Sequence, residues 1–393
     1  MKTLIIDKTA VLETSQRKCL ELAKFNDIDL TLLCPERWVE NFAEIALEKT
    51  HDPNYKIVTG KVAFKGYENR GFYYTGILKA IREKPDIIFL LEEPFSLFAL
   101  QTVVLKSIFS RRSKVIFYTW DNLSRKYRYP YRPSLIYEFI NQLTLRLSCY
   151  AITGNSDAIE ILKSKGFKKP IAYAPYGIDL NLFSEKNVAG LKEELNLRSP
   201  VFGYIGRLLE EKGLDIFLKA IALYKKEFGQ KFSILIIGRG KYREDLERMA
   251  KDHSLTNNLV LLDTVLHKMV PEYMNCIDIF VLPSKTKWNF KEQFGRVLVE
   301  AMACGVSVIG SSSGALQKII GDAGLIFKEN NPVDLKSKMI QLLNNVELRN
   351  KLKVKGKIRV KEFTWEIFAK KIHNILNWVI KDENSNRFNT YNR

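Results

Sequence analysis

The 393-residue chain is poor in the side chains that build metal and disulfide sites. Its five cysteines are an odd number without a CxxC pair, and its four histidines are equally dispersed. We therefore expect no zinc site, no disulfide framework and a reducing compartment. The residues concerned are Cys19, Cys34, Cys149, Cys276, Cys304, His51, His253, His267 and His373.

Long apolar runs are also missing. The most apolar segment, residues 94–109, is shorter than the roughly 18 residues that a membrane-spanning helix needs, and Glu92 and Glu93 precede it. The first residues, MKTLIID, read as a strand without the basic region and cleavage site of a signal peptide. These features predict a cytoplasmic protein. A hydrophobic fraction of 46% excludes a disordered chain, and the length suits two to three domains.

Positive charge is in excess. The 62 lysines and arginines outnumber the 44 aspartates and glutamates, giving a formal net charge of +18. Such a field attracts polyanions, which include nucleic acid, anionic lipid head groups and phosphorylated small substrates. We predict no nucleic-acid partner, because no RNA-binding motif is present.

Short apolar runs alternate with amphipathic helical stretches throughout the chain. This alternation is typical of parallel sheets covered by helices and predicts an α/β fold with two similar units in tandem. The predicted strands are residues 3–6, 30–33, 87–91, 114–118, 150–153 and 171–174 in the first half, and 201–205, 233–237, 259–262, 279–282, 306–309 and 325–327 in the second.

The same patterns divide the chain into domains. We expect a first domain over residues 1–180, a polar linker over 181–200 and a second domain over 201–365. An apolar-periodic helix follows at 366–380, and the polar residues 382–393 are expected to fray.

Two cations follow the first strand of the second half. In the segment GRLLEEKG at 206–213, Gly206 lets backbone approach a ligand, and Arg207 and Lys212 place a guanidinium and an ammonium at one strand end. Two cations there suit a diphosphate, since ligands of open α/β sheets bind beyond the carboxyl ends of strands. An ordinary polar loop is the alternative interpretation.

A second loop, WNFKEQFGRVLVEAMACG at 288–305, carries a glycine turn before a helix. Gly295 permits the turn and residues 296–303 are good helix formers, so the helix start offers free N–H groups to a phosphate. Glu292 lies in the loop, and Glu300 lies eight positions later, inside the helix. Carboxylates accept from hydroxyl pairs and repel phosphate, so we expect both to face a sugar or ribose. Two solvated glutamates are the alternative.

Two further loops end strands of the same half. Residues 310–314, GSSSG, supply hydroxyls and flexible backbone. Gly238-Arg239-Gly240 lacks the full GxGxxG pattern, so we do not interpret it as a dinucleotide fingerprint.

Together these segments resemble the signature of the family 4 retaining glycosyltransferases of GT-B architecture. The similarity is strong over residues 201–365 and looser but colinear before them. The residues that carry it are Gly206-Arg207, Glu211-Lys212-Gly213, Glu292-Gln293-Phe294-Gly295, Glu300, Ala301-Met302-Ala303-Cys304-Gly305 and Asp322-Ala323-Gly324.

The resemblance implies a fold and a set of roles. It implies two Rossmann-like domains facing each other across a cleft, with the last helix returning to the first domain. Arg207 and Lys212 would hold the diphosphate of a nucleotide sugar, Glu292 would contact the transferred sugar, and Glu300 the ribose. The implied donor-binding set is Gly206, Arg207, Lys212, Glu292, Gln293, Phe294, Gly295, Arg296 and Glu300.

The reaction implied is sugar transfer from a nucleoside diphosphate to an acceptor hydroxyl with retention of configuration. The family is typically metal-independent and needs no cofactor, and Arg207, Lys212 and the helix start would replace a magnesium ion on the departing diphosphate. The expected acceptor is a glycan or a lipid-linked saccharide, as in surface polysaccharide or glycolipid synthesis.

The first half departs from the family pattern. The sequence DKTAVLET at residues 7–14 replaces the usual glycine-rich loop, and YTWDN at 118–122 stands where many members have a histidine. Asp121 and Asn122 are therefore candidates to orient the sugar or acceptor. Glu92 and Glu93 point toward the cleft or form an acid pair at a helix start, two interpretations of equal weight.

The positive charge is concentrated in one part of the first half. Residues 106–169 hold 13 Lys and Arg against 4 Asp and Glu. We expect this region to contact the anionic inner face of the cytoplasmic membrane, with a basic solvated surface as the equal alternative. The basic and aromatic residues are Arg111, Arg112, Lys114, Arg125, Lys126, Arg128 and Arg132 with Tyr127, Tyr129, Tyr131 and Phe139.

Two other functions remain open at this point. A nucleotide-sugar epimerase could use the same architecture, but it would need acid and base residues in the first domain that we do not identify. A non-catalytic, basic nucleic-acid-binding or membrane-binding protein would use the +18 charge without the glutamates.

Overall fold

The computed structural model describes residues 1–40, 43–48, 50, 53–123 and 134–381. The chain forms two compact units. The first comprises Met1–Gly177 together with the chain from Trp365 onward, and the second comprises Ile178–Thr364.

The first unit is built on a seven-stranded parallel sheet in the order β11-β10-β9-β8-β1-β2-β5. Two antiparallel pairs, β3–β4 and β6–β7, lie outside it. The strands are β1 (Lys2–Ile6), β2 (Asp29–Pro35), β3 (Arg37–Glu40), β4 (Ala43–Ala46), β5 (Lys56–Gly60), β6 (Val62–Ala63), β7 (Phe72–Tyr73), β8 (Ile87–Leu90), β9 (Lys114–Thr119), β10 (Tyr150–Thr153) and β11 (Ile171–Tyr173).

Helices cover both faces of this sheet. The apolar faces of its strands divide into two clusters, one around Phe98 and Phe117 and the other around Phe89 and Ile116. The helices are α1 (Glu13–Leu22), α2 (Ile77–Arg82), α3 (Leu97–Phe109), α4 (Ser134–Leu147), α5 (Asp157–Ser164) and, from the end of the chain, α14 (Trp365–Lys381), with a 3-10 turn at Lys8–Val11.

Helix α14 belongs to the first unit. Its apolar stripe of Trp365, Phe368, Ile372 and Leu376 is buried in the cluster that contains the β1 residue Ile5. The spacing of three or four residues between these side chains places them on one helix face, and burying that face fixes the helix to the sheet.

The second unit is built on a six-stranded parallel sheet in the order β14-β13-β12-β15-β16-β17. Numbered within the unit, this is the Rossmann order 3-2-1-4-5-6. The strands are β12 (Val201–Ile205), β13 (Ser233–Ile237), β14 (Leu259–Leu262), β15 (Ile279–Leu282), β16 (Ser307–Ser311) and β17 (Leu325–Phe327).

The helices of the second unit come before, between and after these strands in the chain. They are α6 (Ala189–Glu194), α7 (Leu214–Phe228), α8 (Arg243–Asp252), α9 (Val270–Asn275), α10 (Arg296–Ala303), α11 (Leu316–Ile320), α12 (Pro332–Asn344) and α13 (Val346–Arg359). Short 3-10 turns occur at Glu210–Lys212, Thr256–Asn258, His267–Met269 and Val360–Phe363.

The predicted α/β fold with two Rossmann-like units is confirmed, with differences in the elements. Strand β5 and both antiparallel pairs were not predicted. Residues 181–200, predicted as a linker, contain α6 and lie within the second unit, so the boundary falls between Gly177 and Ile178. The predicted frayed residues 382–393 lie outside the described residues.

Candidate functional site

The strand order of the second unit places two predicted loops side by side. Strands β12 and β15 are neighbours from which the sheet is wound in opposite directions. In open α/β sheets ligands bind beyond the carboxyl ends of the strands at such a switch point. The loops that leave it are residues 206–213 after β12 and residues 283–295 after β15.

A buried ion pair joins the two loops. The Lys212 ammonium lies 2.7 Å from Glu292 Oε2, and the side chains are only 13% and 9% exposed. The Ser284 hydroxyl donates to the same carboxylate oxygen at 2.6 Å. Lys212 also lies 5.0 Å above the centre of the Phe290 ring. Lys212, which was predicted to bind the diphosphate, therefore lies in direct contact with Glu292, which was predicted to contact the sugar.

Further contacts hold the loops together around this pair. The Lys285 N–H donates to the Glu211 carbonyl at 2.8 Å, and its ammonium pairs with Asp215 at 2.6 Å. Lys287 pairs with Glu210 at 2.6 Å on the exposed side. These lysines were not predicted from the sequence, because their partners lie about 70 residues earlier and only the strand order brings them close.

Gly213 allows this close approach. Its φ is +70°, and a Cβ built there would lie 2.0 Å from the Pro283 carbonyl oxygen. A side chain at this position would therefore push the two loops apart.

Arg207 lies at the same edge with its side chain exposed. Its carbonyl accepts from the buried Tyr204 hydroxyl at 2.8 Å. Burial raises the pKa of Tyr204, nearby Glu292 raises it further, and Arg207 opposes the shift. Arg207 and Glu292 thus both act on one phenol. Within the described part of the chain the Arg207 guanidinium makes no ion pair, so it is available to an anionic ligand.

Helix α10 begins where it was predicted, at Arg296. Gly295 is its N-cap residue with φ +75° and supplies no side chain to the first N–H groups. A Cβ there would lie 2.5 Å from Leu316 Cδ2, so the turn also packs closely on α11. An uncapped helix start of this kind can bind an anion through its N–H groups and its dipole.

Glu300 is buried inside α10 and is held by two basic side chains. Arg296 Nε lies 2.9 Å from its Oε1, and His267 Nε2 lies 3.9 Å from the same oxygen. Burial favours the neutral acid, but Arg296 and His267 outweigh it and the pKa of Glu300 lies below its ordinary value. Glu300 is therefore an ionised acceptor for hydroxyl groups, and its neighbour His267 was not predicted from the sequence.

The remaining predicted donor-binding residues divide between core and surface. The Phe294 ring is buried and lies 5.6 Å from the Phe363 ring, so its side chain belongs to the core. Gln293 is exposed beside it. Gly206 directly follows β12 and donates its N–H to the Ile237 carbonyl at 3.0 Å.

Residues 310–314 form hydrogen bonds to the loop that carries Glu292. The Ser311 hydroxyl donates to the Ser284 carbonyl at 2.5 Å. The hydroxyls of Ser313 and Thr286 lie 3.0 Å apart, and the Ala315 N–H donates to the Glu292 carbonyl at 3.0 Å. These bonds fix the backbone on both sides of Glu292.

The switch point of the first unit lies between β1 and β8, and it is filled by paired charges. Lys8 lies 2.5 Å from Glu92, and Lys18 lies 2.5 Å from Asp7. All four side chains are nearly inaccessible, with Lys8 the most exposed at 11%. Burial raises the pKa of Glu92 to about 7 although Lys8 opposes the shift. Neither of these two pairs was predicted from the sequence.

The two glutamates after β8 do not form an acid pair at a helix start. Helix α3 is capped by Ser96, whose hydroxyl accepts from the Ala99 N–H at 3.1 Å. Glu93 instead accepts from the Trp120 N–H at 2.8 Å and from the Thr119 hydroxyl at 2.5 Å. Both glutamates therefore accept hydrogen bonds from residues at the carboxyl ends of neighbouring strands.

The two candidates after β9 are buried. Asp121 pairs with Lys165 at 2.6 Å, with both side chains at most 6% exposed. Asn122 is 6% exposed. Their predicted role in orienting sugar or acceptor stays a prediction.

The predicted basic and aromatic region is described only in part. Arg125 to Arg132 lie outside the described residues, whereas Arg111, Arg112, Lys114 and Phe139 lie within them. Among the helices that the structure describes, none has both the length and the apolar character needed to cross a bilayer.

Comparison with known proteins identifies the second unit. Residues 190–359 match the family of glycosyl transferases group 1. An uncharacterized glycosyltransferase of Methanocaldococcus jannaschii is 36% identical over 165 residues, 42% of this chain and 44% of that protein. The GDP-mannose-dependent monoacylated alpha-(1-6)-phosphatidylinositol monomannoside mannosyltransferase of Corynebacterium glutamicum is 29% identical over 215 residues, 52% of this chain and 55% of that protein.

The matched segment spans about half the length of these curated relatives. Over nearly the whole chain the fold resembles HepE of Anabaena, solved in complex with UDP, with a TM-score of 0.75, 17% identity and coverage of 96% and 100%. Sucrose-phosphate synthase of Thermosynechococcus elongatus gives a TM-score of 0.75 at 18% identity, with coverage of 97% and 99%. The GT-B architecture predicted from the motifs is confirmed, and residues 190–359 of the second unit match the glycosyl transferases group 1, the family that the motifs predicted.

Proposed function

We propose that the protein transfers a sugar from a nucleoside diphosphate to an acceptor hydroxyl, using the second unit to hold the donor. The observation that carries the proposal is the contact between Lys212 and Glu292 at the β12–β15 switch point. A cation and a carboxylate placed together suit a ligand in which a diphosphate adjoins a sugar.

Three positive groups would receive the diphosphate. Arg207 is exposed and unpaired within the described residues, Lys212 reaches the site from the same loop, and α10 presents its uncapped start. On donor binding the Lys212 ammonium can donate to a phosphate oxygen while it stays close to Glu292, since an ammonium has three hydrogens. Glu300, ionised and buried, would accept from the ribose hydroxyls.

In the proposed reaction the acceptor oxygen bonds to the anomeric carbon as the bond from that carbon to the diphosphate breaks. The acceptor proton passes to a diphosphate oxygen, so leaving and attack occur on one face of the sugar and configuration is retained. The protein's cations stabilise the charge that develops on the leaving group, which is the largest contribution expected of such a site. We propose that no metal and no cofactor takes part.

The proposed acceptor is a glycan or a lipid-linked saccharide on the cytoplasmic side of a membrane. The corynebacterial relative is named for a glycolipid acceptor, and an O-antigen chain mannosyltransferase of Escherichia coli is another relative, 27% identical over 42% of each chain. In the first unit, Leu135, Ile136 and Phe139 of α4 are exposed, as a membrane contact would require. Cosedimentation with anionic but not neutral vesicles is expected, and equal behaviour with both would contradict this contact.

The reaction is tested with a panel of UDP-, GDP- and ADP-sugars and candidate acceptors. We expect one donor to support transfer, a product whose anomeric configuration by NMR matches that of the donor, and a rate unchanged by EDTA. An inverted product would overturn the proposed mechanism, and a rate abolished by EDTA would overturn the proposed role of the three positive groups.

A further inference from the structure

A cationic cavity lies in the first unit, at the edge of the sheet opposite to the one where Glu92 and Asp121 lie. Its volume is about 470 Å³, and it lies at the amino ends of β9 and β10, beside the last residues of α3, α4 and α14. Five of its lining residues are basic and none is acidic: Lys106, Arg111, Arg112, Lys114 and Lys169. We propose that this cavity binds a phosphate group.

Helix capping accounts for only two of the five cations. Lys169 donates to the Arg146 carbonyl at 2.6 Å at the end of α4, and Lys114 donates to the Val379 carbonyl at 2.7 Å near the end of α14. Cations at helix C-termini are stabilised by the helix dipole. Arg111 and Arg112 are exposed at the mouth and make no ion pair within the described residues.

The cavity keeps positive charge where burial disfavours it. Burial lowers the pKa of Lys106, and it lowers that of Lys169 as well. No carboxylate of the lining balances either lysine. A bound anion would supply the missing negative charge and relieve the repulsion between the five cations.

The charge and shape favour phosphate over a single carboxylate. Five cations around about 470 Å³ match a compact group with two or more negative charges, such as a phosphate monoester or a diphosphate. The planar guanidinium groups of Arg111 and Arg112 suit two-point contacts with phosphate oxygens. The indole of Trp378 forms part of the wall, so the ligand can carry an apolar portion beside the phosphate.

The test uses inorganic pyrophosphate and titration calorimetry on the full chain. An Arg207→Ala background weakens the proposed donor site, so that binding lost on a further exchange at the cavity reports the cavity. In this background we expect saturable binding that falls at least tenfold in Arg111→Glu with Arg112→Glu. The control is Lys61→Glu with Lys79→Glu, which changes the charge equally at exposed lysines of the same unit outside the cavity.

The control is expected to bind pyrophosphate within twofold of the background. An equal loss in both charge-reversed proteins would mean general attraction to a basic surface and would overturn the site, as would an absence of saturable binding. All the exchanged residues are exposed, and circular dichroism verifies that each variant is folded. Because these proteins already lack Arg207, a negative result for the cavity would not count against the proposed donor site.

Vesicles then identify the source of the phosphate. If it belongs to a lipid head group, the wild-type protein sediments with vesicles that contain phosphatidic acid, whose head group is a phosphate monoester. Pyrophosphate then releases the protein, and the Arg111 and Arg112 reversal reduces sedimentation more than the Lys61 and Lys79 reversal. Pyrophosphate binding that depends on Arg111 and Arg112 without such sedimentation supports a soluble phosphorylated ligand.

Discussion

At the residue scale, charged side chains occupy the switch point of each sheet, but they differ in access. Lys212 and Glu292 in the second unit are 13% and 9% exposed, and Arg207 beside them is open to solvent. Glu92 in the first unit is fully buried against Lys8. The charges of the second unit are therefore partly accessible from solvent, whereas the pairs of the first unit hold its own loops in place.

The raised pKa of Glu92 predicts a pH effect on stability. Because Glu92 has a pKa of about 7 in the folded chain and an ordinary value near 4.5 when unfolded, the folded state holds one more proton between these values. The contribution of Glu92 to the free energy of unfolding is therefore fully present below pH 4.5. It is lost as the pH rises to 7, on the order of 1 kcal/mol per pH unit. Lys8 and Asp7 are the charged groups that face it.

Glu92→Gln removes this titration and can still accept a hydrogen bond from Lys8. Relative to wild type, the variant is expected to become progressively more stable from pH 5 to pH 7.5, as measured by urea unfolding at several pH values. Glu36→Gln, an exposed exchange in the same unit, is the control and should run parallel to wild type. A Glu92→Gln profile parallel to wild type would contradict the assignment.

The residues that carry charge could be selected from the sequence, but their partners could not. Arg207, Lys212 and Glu292 lie in loops that follow strands, and Glu300 lies in the helix that begins after the second loop, which local patterns reveal. The contact between Lys212 and Glu292 spans 80 residues and depends on β12 lying beside β15. The buried lysines of the first unit are indistinguishable in sequence from exposed ones.

At the element scale, the glycines of the two loops decide how closely the loops approach. Gly213→Ala places a Cβ 2.0 Å from the Pro283 carbonyl oxygen, in addition to the strain of φ +70°. The strain alone costs about 1–3 kcal/mol, and the clash must move the Lys212 or the Pro283 backbone. We expect donor affinity to fall at least tenfold, as measured by titration calorimetry.

Gly229→Ala is the matched control. Gly229 has φ +79° in the same unit, and a Cβ there meets nothing within 4 Å. It should lower the free energy of unfolding through strain and leave donor affinity unchanged. Unchanged affinity in Gly213→Ala would show that the approach of the two loops does not shape the site.

Element boundaries were predictable where the chain carries its own signals. Helix α10 runs from Arg296 to Ala303 as predicted, because Gly295 and Gly305 bracket a run of good helix formers. Strand β5 was missed because KIVTG is short and only half-buried. The polar residues 181–200 resembled a linker, since local composition does not show that α6 belongs to the second unit.

At the scale of the whole molecule, the two units are both built on parallel sheets but carry different features. The second carries the family match over residues 190–359 and the cations proposed to bind the donor, and the first departs from the family pattern at residues 7–14 and 118–122. Composition and periodicity predicted this two-unit organisation, because apolar strand runs recur through both halves. The return of α14 to the first unit followed from the resemblance rather than from composition.

We propose above all that the second unit binds a nucleoside diphosphate through Arg207, Lys212 and the start of α10. The most direct measurement is titration of UDP, GDP and ADP into wild type and Arg207→Ala, with Arg248→Ala, an exposed arginine on α8, as the control. We predict that one nucleotide binds preferentially, that Arg207→Ala weakens it at least tenfold, about 1.4 kcal/mol, and that Arg248→Ala does not. Equal affinity in wild type and Arg207→Ala would contradict the claim.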